Sequence, residues 1–153
     1  MKKYLLVLGI FFIGNNTINA QFYSDLNFNI NDSLKLVAST NSNYKKVDIL
    51  INIGWRYIYS NGDTAIKYFK ISDEIAFKSK EELQLRRVYN NIAAAYNQTI
   101  GNYPLGLHYG TEALKLGNKL NLSDSLMRNT YFHLGQCYAY LHNKDLALKY
   151  LIY

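Results

Sequence analysis

The sequence is poor in the residues that mark several protein classes. It has one Cys and one Pro among 153 residues, and only 18% of its residues are charged. A single Cys excludes an intramolecular disulfide framework, and little Pro and Gly excludes collagen-like and Pro-rich structures. Long apolar runs are also scarce, because the run Tyr4–Gly14 has 11 residues, whereas a membrane-spanning helix needs about 20. The sequence is rich instead in apolar residues (49%) and in Tyr (15 residues), which indicates a folded chain rather than a disordered one.

The N-terminus has the three-part pattern of an export signal. Lys2 and Lys3 precede the apolar run, and a polar stretch then leads to Ala20. This pattern predicts a signal peptide over residues 1–20, with Gln21 as the first mature residue, and hence a periplasmic or extracellular protein. An uncleaved anchor is the alternative, which the short apolar run disfavours.

The basic charge is a weak indication of any partner. Removal of Lys2 and Lys3 lowers the formal net charge from +6 to +4, and the other basic residues are scattered along the chain. A nucleic-acid surface needs a concentrated basic stripe, so we expect no nucleic-acid partner.

Three blocks of the chain repeat one pattern. In each block an apolar residue precedes a small one, and a Tyr follows three positions later; a second small residue then comes before an aromatic. The first small residues are Gly54, Ala93 and Gly135, and the second are Ala65, Gly106 and Ala147, which lie 41 apart. Spacings of three and four place such residues on one face of a helix, and small residues allow a second helix to approach closely.

Turn residues separate the two halves of each block. We expect Asp63, Asn102 and Asn143 to cap the second helices, and the Ser79–Glu82 spacing predicts a capping box. The sequence therefore predicts an all-α solenoid of helical hairpins, about two and a half repeats with a period of about 41. The predicted segments are a lead-in with a short helix (21–43) and repeats at 44–79, 80–121 and 122–153, the last of them incomplete.

These residues resemble the tetratricopeptide repeat (TPR) family. The third block carries the family pattern best, with Tyr131, Leu134, Gly135, Tyr138 and Ala147 at its spacing. The loop between helices is one residue shorter in the first block and one residue longer in the second. The second block also has Gly106 where the family prefers Ala, which weakens a helix by up to ~1 kcal/mol. The resemblance implies a non-enzymatic module that binds a protein or peptide.

The beginning of the chain resembles a narrower group. Asp32–Lys35, Lys46–Leu50, Trp55–Tyr57 and Ser60–Ile66 are similar to the extracytoplasmic TPR segments of Bacteroidetes-type sensor histidine kinases and helix-turn-helix regulators. This similarity implies the sensory or scaffold part of an envelope signalling protein, which in longer relatives continues into a membrane-anchored regulator.

Candidate catalytic or metal residues are few. His133 and Cys137 lie four apart on one helix face, but two ligands do not make a structural metal site. His108 and His142 have no partners that spacing can supply. We therefore expect no enzymatic activity, metal or cofactor, and we interpret Cys137 as a core thiol.

The resemblance to TPR stacks implies that the first helix of each hairpin lines a concave groove. The predicted groove residues are amides and aromatics with a single well-placed cation: Asn52, Trp55, Tyr59, Arg87, Asn90, Asn91, Asn97, Gln98, His133, Gln136 and Tyr140. Such a set suits an extended peptide backbone, whereas the lysines of the family's carboxylate clamp have no counterpart. Two alternatives remain: Trp55 and Tyr59 belong to the core, or the repeats only space and dimerise other domains through the last helix.

Overall fold

The computed structural model describes residues 29–152, which form helices and turns. The chain divides after Asn31 into two units, and the second, from Asp32 onward, holds the helical hairpins. The helices are α1 (Ile30–Ser39), α2 (Asn43–Tyr57), α3 (Gly62–Lys78), α4 (Glu82–Ala95), α5 (Tyr103–Lys119), α6 (Asp124–Tyr140) and α7 (Lys144–Leu151), and a π-helical turn (Tyr96–Ile100) follows α4. The predicted signal peptide lies outside the described residues. Between residues 29 and 152, no helix is long and apolar enough to cross a membrane.

Three consecutive helix pairs form hairpins: hairpin 1 is α2–α3, hairpin 2 is α4–α5, and hairpin 3 is α6–α7. Between hairpins, α3 packs on α4 and α5 packs on α6, and the first helices α2, α4 and α6 lie side by side. The all-α hairpin solenoid predicted from the sequence is therefore confirmed. The second helix of hairpin 3, α7, has eight residues.

Side-chain caps set the start of the second helices. Asn102 accepts a hydrogen bond from the Leu105 N–H and Asn143 from the Leu146 N–H, both at 3.2 Å, as the sequence predicts. The prediction that Asp63 caps α3 is wrong, because Asn61 caps this helix and Asp63 lies within its first turn.

The predicted capping box at the start of α4 is also wrong. Ser79 ends α3, where its hydroxyl donates to the Ile75 carbonyl at 2.8 Å. Lys80 then takes a left-handed conformation (φ 58°), and Glu81 precedes α4 without a side-chain cap bond.

The π-helical turn absorbs the extra residue of the second repeat. An inserted residue in a helix is accommodated by widening one turn, so the residues on either side keep their faces. The turn ends at Gly101, whose left-handed conformation (φ 71°) suits a residue without Cβ.

Close helix contact in hairpin 1 depends on Gly54. A Cβ at this position would lie 2.3 Å from a ring carbon of Phe69, which is fully buried on α3. The small residue of the repeat therefore leaves room for the ring from the paired helix, and the same pair of helices buries Val47, Ile51 and Ile58 in the core.

Every hairpin contains the same stacked pair of tyrosines. The rings stack between the first and second helix with centroids 5.9 Å, 5.9 Å and 5.7 Å apart and interplanar angles of 13°, 16° and 5°. The pairs are Tyr57–Tyr68, Tyr96–Tyr109 and Tyr138–Tyr150. Much of the Tyr content is thus explained by one packing contact that recurs in each repeat.

Candidate functional site

The candidate site is the face formed by the three first helices, α2, α4 and α6, which we call the first-helix face. Two lines of contact run along it. The first seam joins α2 to α4, and the second seam joins α4 to α6. The predicted groove residues fall on or between these seams.

Polar pairs close the first seam. The Trp55 indole N–H donates to the Asn91 Oδ1 at 3.0 Å, and the Tyr59 hydroxyl donates to the Gln98 Oε1 at 3.5 Å. Trp55 also meets Phe69 edge-on, with ring centroids 6.3 Å apart. Trp55 thus belongs partly to the core, whereas Tyr59 is 56% exposed.

An ion pair lies at the other end of the first seam. Arg87 donates to the Asp48 carboxylate at 2.7 Å and to the Gln84 amide oxygen at 2.5 Å. Both charged side chains are about a third exposed (38% and 34%), so water screens the pair. Arg87, the one cation predicted to line the groove, is therefore already paired with Asp48 on α2.

The amide nitrogens of two groove residues stay available for a ligand. An indole N–H can only donate, so the oxygen of Asn91 must face Trp55 and the Nδ2 group must point away. Within residues 29–152 neither this nitrogen nor the Nε2 of Gln98 has a hydrogen-bond partner. Asn52 and Tyr140 are exposed on the same set of helices.

Four of the predicted groove residues differ from expectation because they are buried in the second seam. They are only 4–7% exposed: Asn90, Asn97, His133 and Gln136. Along α4 and α6 such positions recur three and four residues apart, and this stripe faces the neighbouring helix rather than an open groove. The Asn97 Nδ2 donates to the His133 carbonyl at 3.1 Å, and the Cys137 thiol donates to the Asn97 Oδ1 at 3.0 Å.

The Asn97 amide explains why Gly106 replaces the family's Ala. A Cβ on Gly106 would lie 1.8 Å from the Asn97 Oδ1. The amide occupies the space that a methyl group at position 106 would need, so the helix propensity lost with Gly is exchanged for a hydrogen-bonded side chain between hairpins 2 and 3.

Burial makes His133 and Cys137 poor candidates for chemistry. Burial lowers the pKa of His133 from 6.5 to about 4, although the neighbouring Gln136 side chain opposes the shift. Burial raises the pKa of the Cys137 thiol from 9.0 to about 11, so little reactive thiolate forms at neutral pH. No group of three or more His, Cys, Asp or Glu side chains in the described part of the chain is placed to hold a metal ion.

Sequence reasoning missed Arg86. Its side chain is buried in the second seam, where it is 6% exposed and donates to the Leu126 carbonyl at 3.1 Å. The signal that could have found it is the repeat itself, because the equivalent residue of hairpin 1, 39 positions earlier, is the core residue Val47.

Comparison with known proteins supports the fold. No family model matches the sequence, and no curated protein resembles it closely enough to match. Among solved structures, the TPR domain of Arabidopsis FLU has a similar fold, with a TM-score of 0.64 and 20% sequence identity over 71% of this chain and 91% of that one. At this identity the likeness shows a TPR-like fold alone.

Proposed function

We propose that this TPR-like stack binds an extended segment of a partner protein or peptide on its first-helix face. The observation that carries the proposal is the fixed orientation of the Asn91 amide. Its oxygen is held by Trp55, and its N–H₂ group is left as a donor for a ligand carbonyl. A donor that is already oriented loses little side-chain entropy on binding, which favours affinity.

The same arrangement fits a peptide backbone. Gln98 repeats the geometry seven residues further along the chain, with its oxygen held by Tyr59. Asn52 supplies a third, exposed amide, and the Tyr140 ring, which stacks on Tyr103 and is 53% exposed, offers apolar surface for side chains. Amides that donate to main-chain carbonyls beside aromatic rings suit an extended peptide of low charge.

The peptide-binding proposal can be tested with a displayed library of random 12-residue peptides selected against the purified full chain. We expect enriched peptides to bind at least ten-fold more weakly to the Asn91→Ala and Gln98→Ala variants. The matched control is Asn118→Ala, an exposed amide on α5, a second helix. Peptides that bind all four proteins equally would show that the first-helix face is not the binding surface.

We propose further that the chain acts outside the cytoplasm, as the sensory or scaffold part of an envelope signalling protein. The support is the signal-peptide pattern of residues 1–20 and the resemblance of the first repeat to extracytoplasmic TPR segments. Sequencing the N-terminus of the native protein tests the export step. We expect a mature chain that starts at Gln21, and a cytoplasmic chain that retains Met1 would contradict it.

A second candidate function is docking on another repeat or subunit through α7. Leu148 is 50% exposed, whereas Ile66, the residue 82 positions earlier at the equivalent place in hairpin 1, is 8% exposed because the next hairpin packs there. Ile152, directly after α7, is 80% exposed, whereas Leu151 packs against Gly135 within hairpin 3. Self-association that Leu148→Glu abolishes in light scattering would favour this role, and a monomer at high concentration would oppose it.

A further inference from the structure

We propose that the second seam holds a small oxyanion beside the guanidinium of Arg86, and that the bound oxyanion fastens hairpin 3 to hairpin 2. The inference is independent of the peptide-binding proposal, because the group lies within the seam and not on its surface. It starts from one observation, a buried arginine that no acidic side chain of residues 29–152 pairs.

The hydrogen bonds that Arg86 makes are too few for a buried cation. A guanidinium has five N–H donors and carries its charge at every accessible pH. Its Nη1 donates to the Leu126 carbonyl at 3.1 Å, whereas its Nε is buried with no acceptor in the described chain. Burial and the neighbouring Arg87 charge both lower the pKa of Arg86, and the carboxylate of Glu82, one turn earlier on α4, pairs with Lys119 instead.

Two further buried polar side chains lie on α4 and α6, the two helices that Arg86 joins. Asn90 lies one turn after Arg86 on α4, and Thr130 lies one turn after Leu126 on α6. Both are buried (7% and 0% exposed), and the Asn90 Oδ1 and the Thr130 Oγ1 have no partner within residues 29–152. The Thr130 hydroxyl can donate, so it can join Arg86 in binding an oxyanion, whereas the Asn90 oxygen can only accept a hydrogen bond.

The repeat shows that packing does not require a cation here. The equivalent position in hairpin 1 is Val47, which is fully buried at the first seam. The equivalent position in hairpin 3 is Arg128, 42 residues after Arg86, and it is exposed. Of these three equivalent residues, only Arg86 carries a charge that is buried in the stack. A buried charge is costly unless a group of opposite sign binds to it.

The chemistry of the site favours carboxylate, phosphate or sulfate groups. The planar fork of a guanidinium forms two parallel bonds to a pair of oxygens on such a group. Chloride offers one centre and cannot make that pair. Binding between α4 and α6 would also stabilise hairpin 3, because any ligand of the folded state that the unfolded chain does not bind raises the unfolding temperature.

The test is thermal unfolding of the purified full chain in sodium phosphate, sulfate or acetate, each compared with sodium chloride at equal ionic strength and pH 7. At ten times the dissociation constant we expect the Tm to rise by about 3 °C. The Arg86→Met variant should lose the increment, whereas the matched variant Arg128→Met should keep it. The ¹⁵N–¹H resonance of the Arg86 Nε, followed by NMR in the wild-type chain, should shift during the same titrations.

The outcomes separate the ligand classes and can reject the proposal. A response to acetate indicates a carboxylate, and a response to phosphate and sulfate alone indicates a tetrahedral oxyanion. An equal Tm increment in Arg86→Met would show a general salt effect and overturn the proposal. If that variant does not fold, an Nε resonance that stays unmoved by all three oxyanions overturns it in the wild-type chain.

Discussion

Acidification should weaken this fold through His133. The imidazole lies in the second seam, where it is 7% exposed, and its Nδ1 has no hydrogen-bond partner within the described chain. Protonation would place a positive charge beside Gln136, in a seam that already contains the Arg86 guanidinium. The seam offers no carboxylate of residues 29–152 within ion-pair distance of either cation.

The difference in the pKa of His133 between the folded and unfolded states sets the sign and the size of this loss of stability. The pKa of His133 is about 4 in the folded chain and 6.5 without burial, so the unfolded state binds the proton more readily. The free energy of unfolding is therefore not reduced by His133 above pH 6.5, and it falls as the pH decreases from 6.5 towards 4. At 1.36 kcal/mol for each pKa unit, the free energy of unfolding should fall by about 3 kcal/mol over this range.

Urea unfolding at intervals between pH 7.5 and pH 4 measures this loss. Carboxylates also titrate there, so the quantity of interest is the difference between the wild type and His133→Gln. We expect the wild type to lose about 3 kcal/mol more than this variant. His108→Gln, which removes an exposed imidazole from α5, should follow the wild type.

Parallel pH profiles for the wild type and His133→Gln would refute the reasoning, because they would show that His133 titrates alike in both states. An NMR titration gives a second check. The ring protons of His133 should not report protonation until the pH is below about 5, and a midpoint near 6.5 would mean that the second seam is open to water.

Three further substitutions test the packing by urea unfolding. Gly106→Ala should destabilise the chain by about 2 kcal/mol despite better helix propensity, because its Cβ meets the Asn97 amide; in an Asn97→Ala background the cost should vanish. Tyr138→Leu should cost about 1 kcal/mol through the lost ring stacking in hairpin 3. Asp48→Asn should cost less than about 1 kcal/mol, since both side chains of its pair with Arg87 are about a third exposed, and the cost should shrink in high salt.

Each substitution has an outcome that would contradict its premise. A stabilising Gly106→Ala would mean that the Asn97 amide moves aside without loss. A neutral Tyr138→Leu would show that the stack adds nothing beyond apolar contact. A large, salt-independent cost for Asp48→Asn would mean that the ion pair is shielded from water.

Much of the fold could be predicted because the same contacts between helices occur in all three hairpins. The spacing of Gly54 to Tyr57, repeated twice, fixes which face of each first helix meets its partner. Capping was predicted where the side chain is short and polar, as at Asn102 and Asn143. It failed at Asp63, because Asn61 caps α3 instead. It also failed at Ser79, because α3 ends there with Lys80 in a left-handed conformation and the Glu81 N–H bonded to the Ala76 carbonyl at 3.1 Å.

The candidate site could be predicted only in part. A helical pattern shows which residues share a face, but in a stack of helices one first helix has a neighbour on each side. The sequence does not show where the seam ends and the open surface begins, so both Asn91 and Asn97 were predicted to line the groove. The structure separates them, because Asn97 bonds across the second seam to the His133 carbonyl while Asn91 remains half-buried on the first-helix face.

The sequence by itself determined the helical hairpins, their number and their period, because helix propensity, turn residues and apolar spacing act within a single repeat. Only the tertiary structure decided which polar groups would be buried. That outcome depends on the neighbour each helix receives, and a side chain such as Arg86 loses its water only when α6 packs on α4. The burial of Arg86 therefore arises from a contact 40 residues apart in the chain, which local patterns do not show.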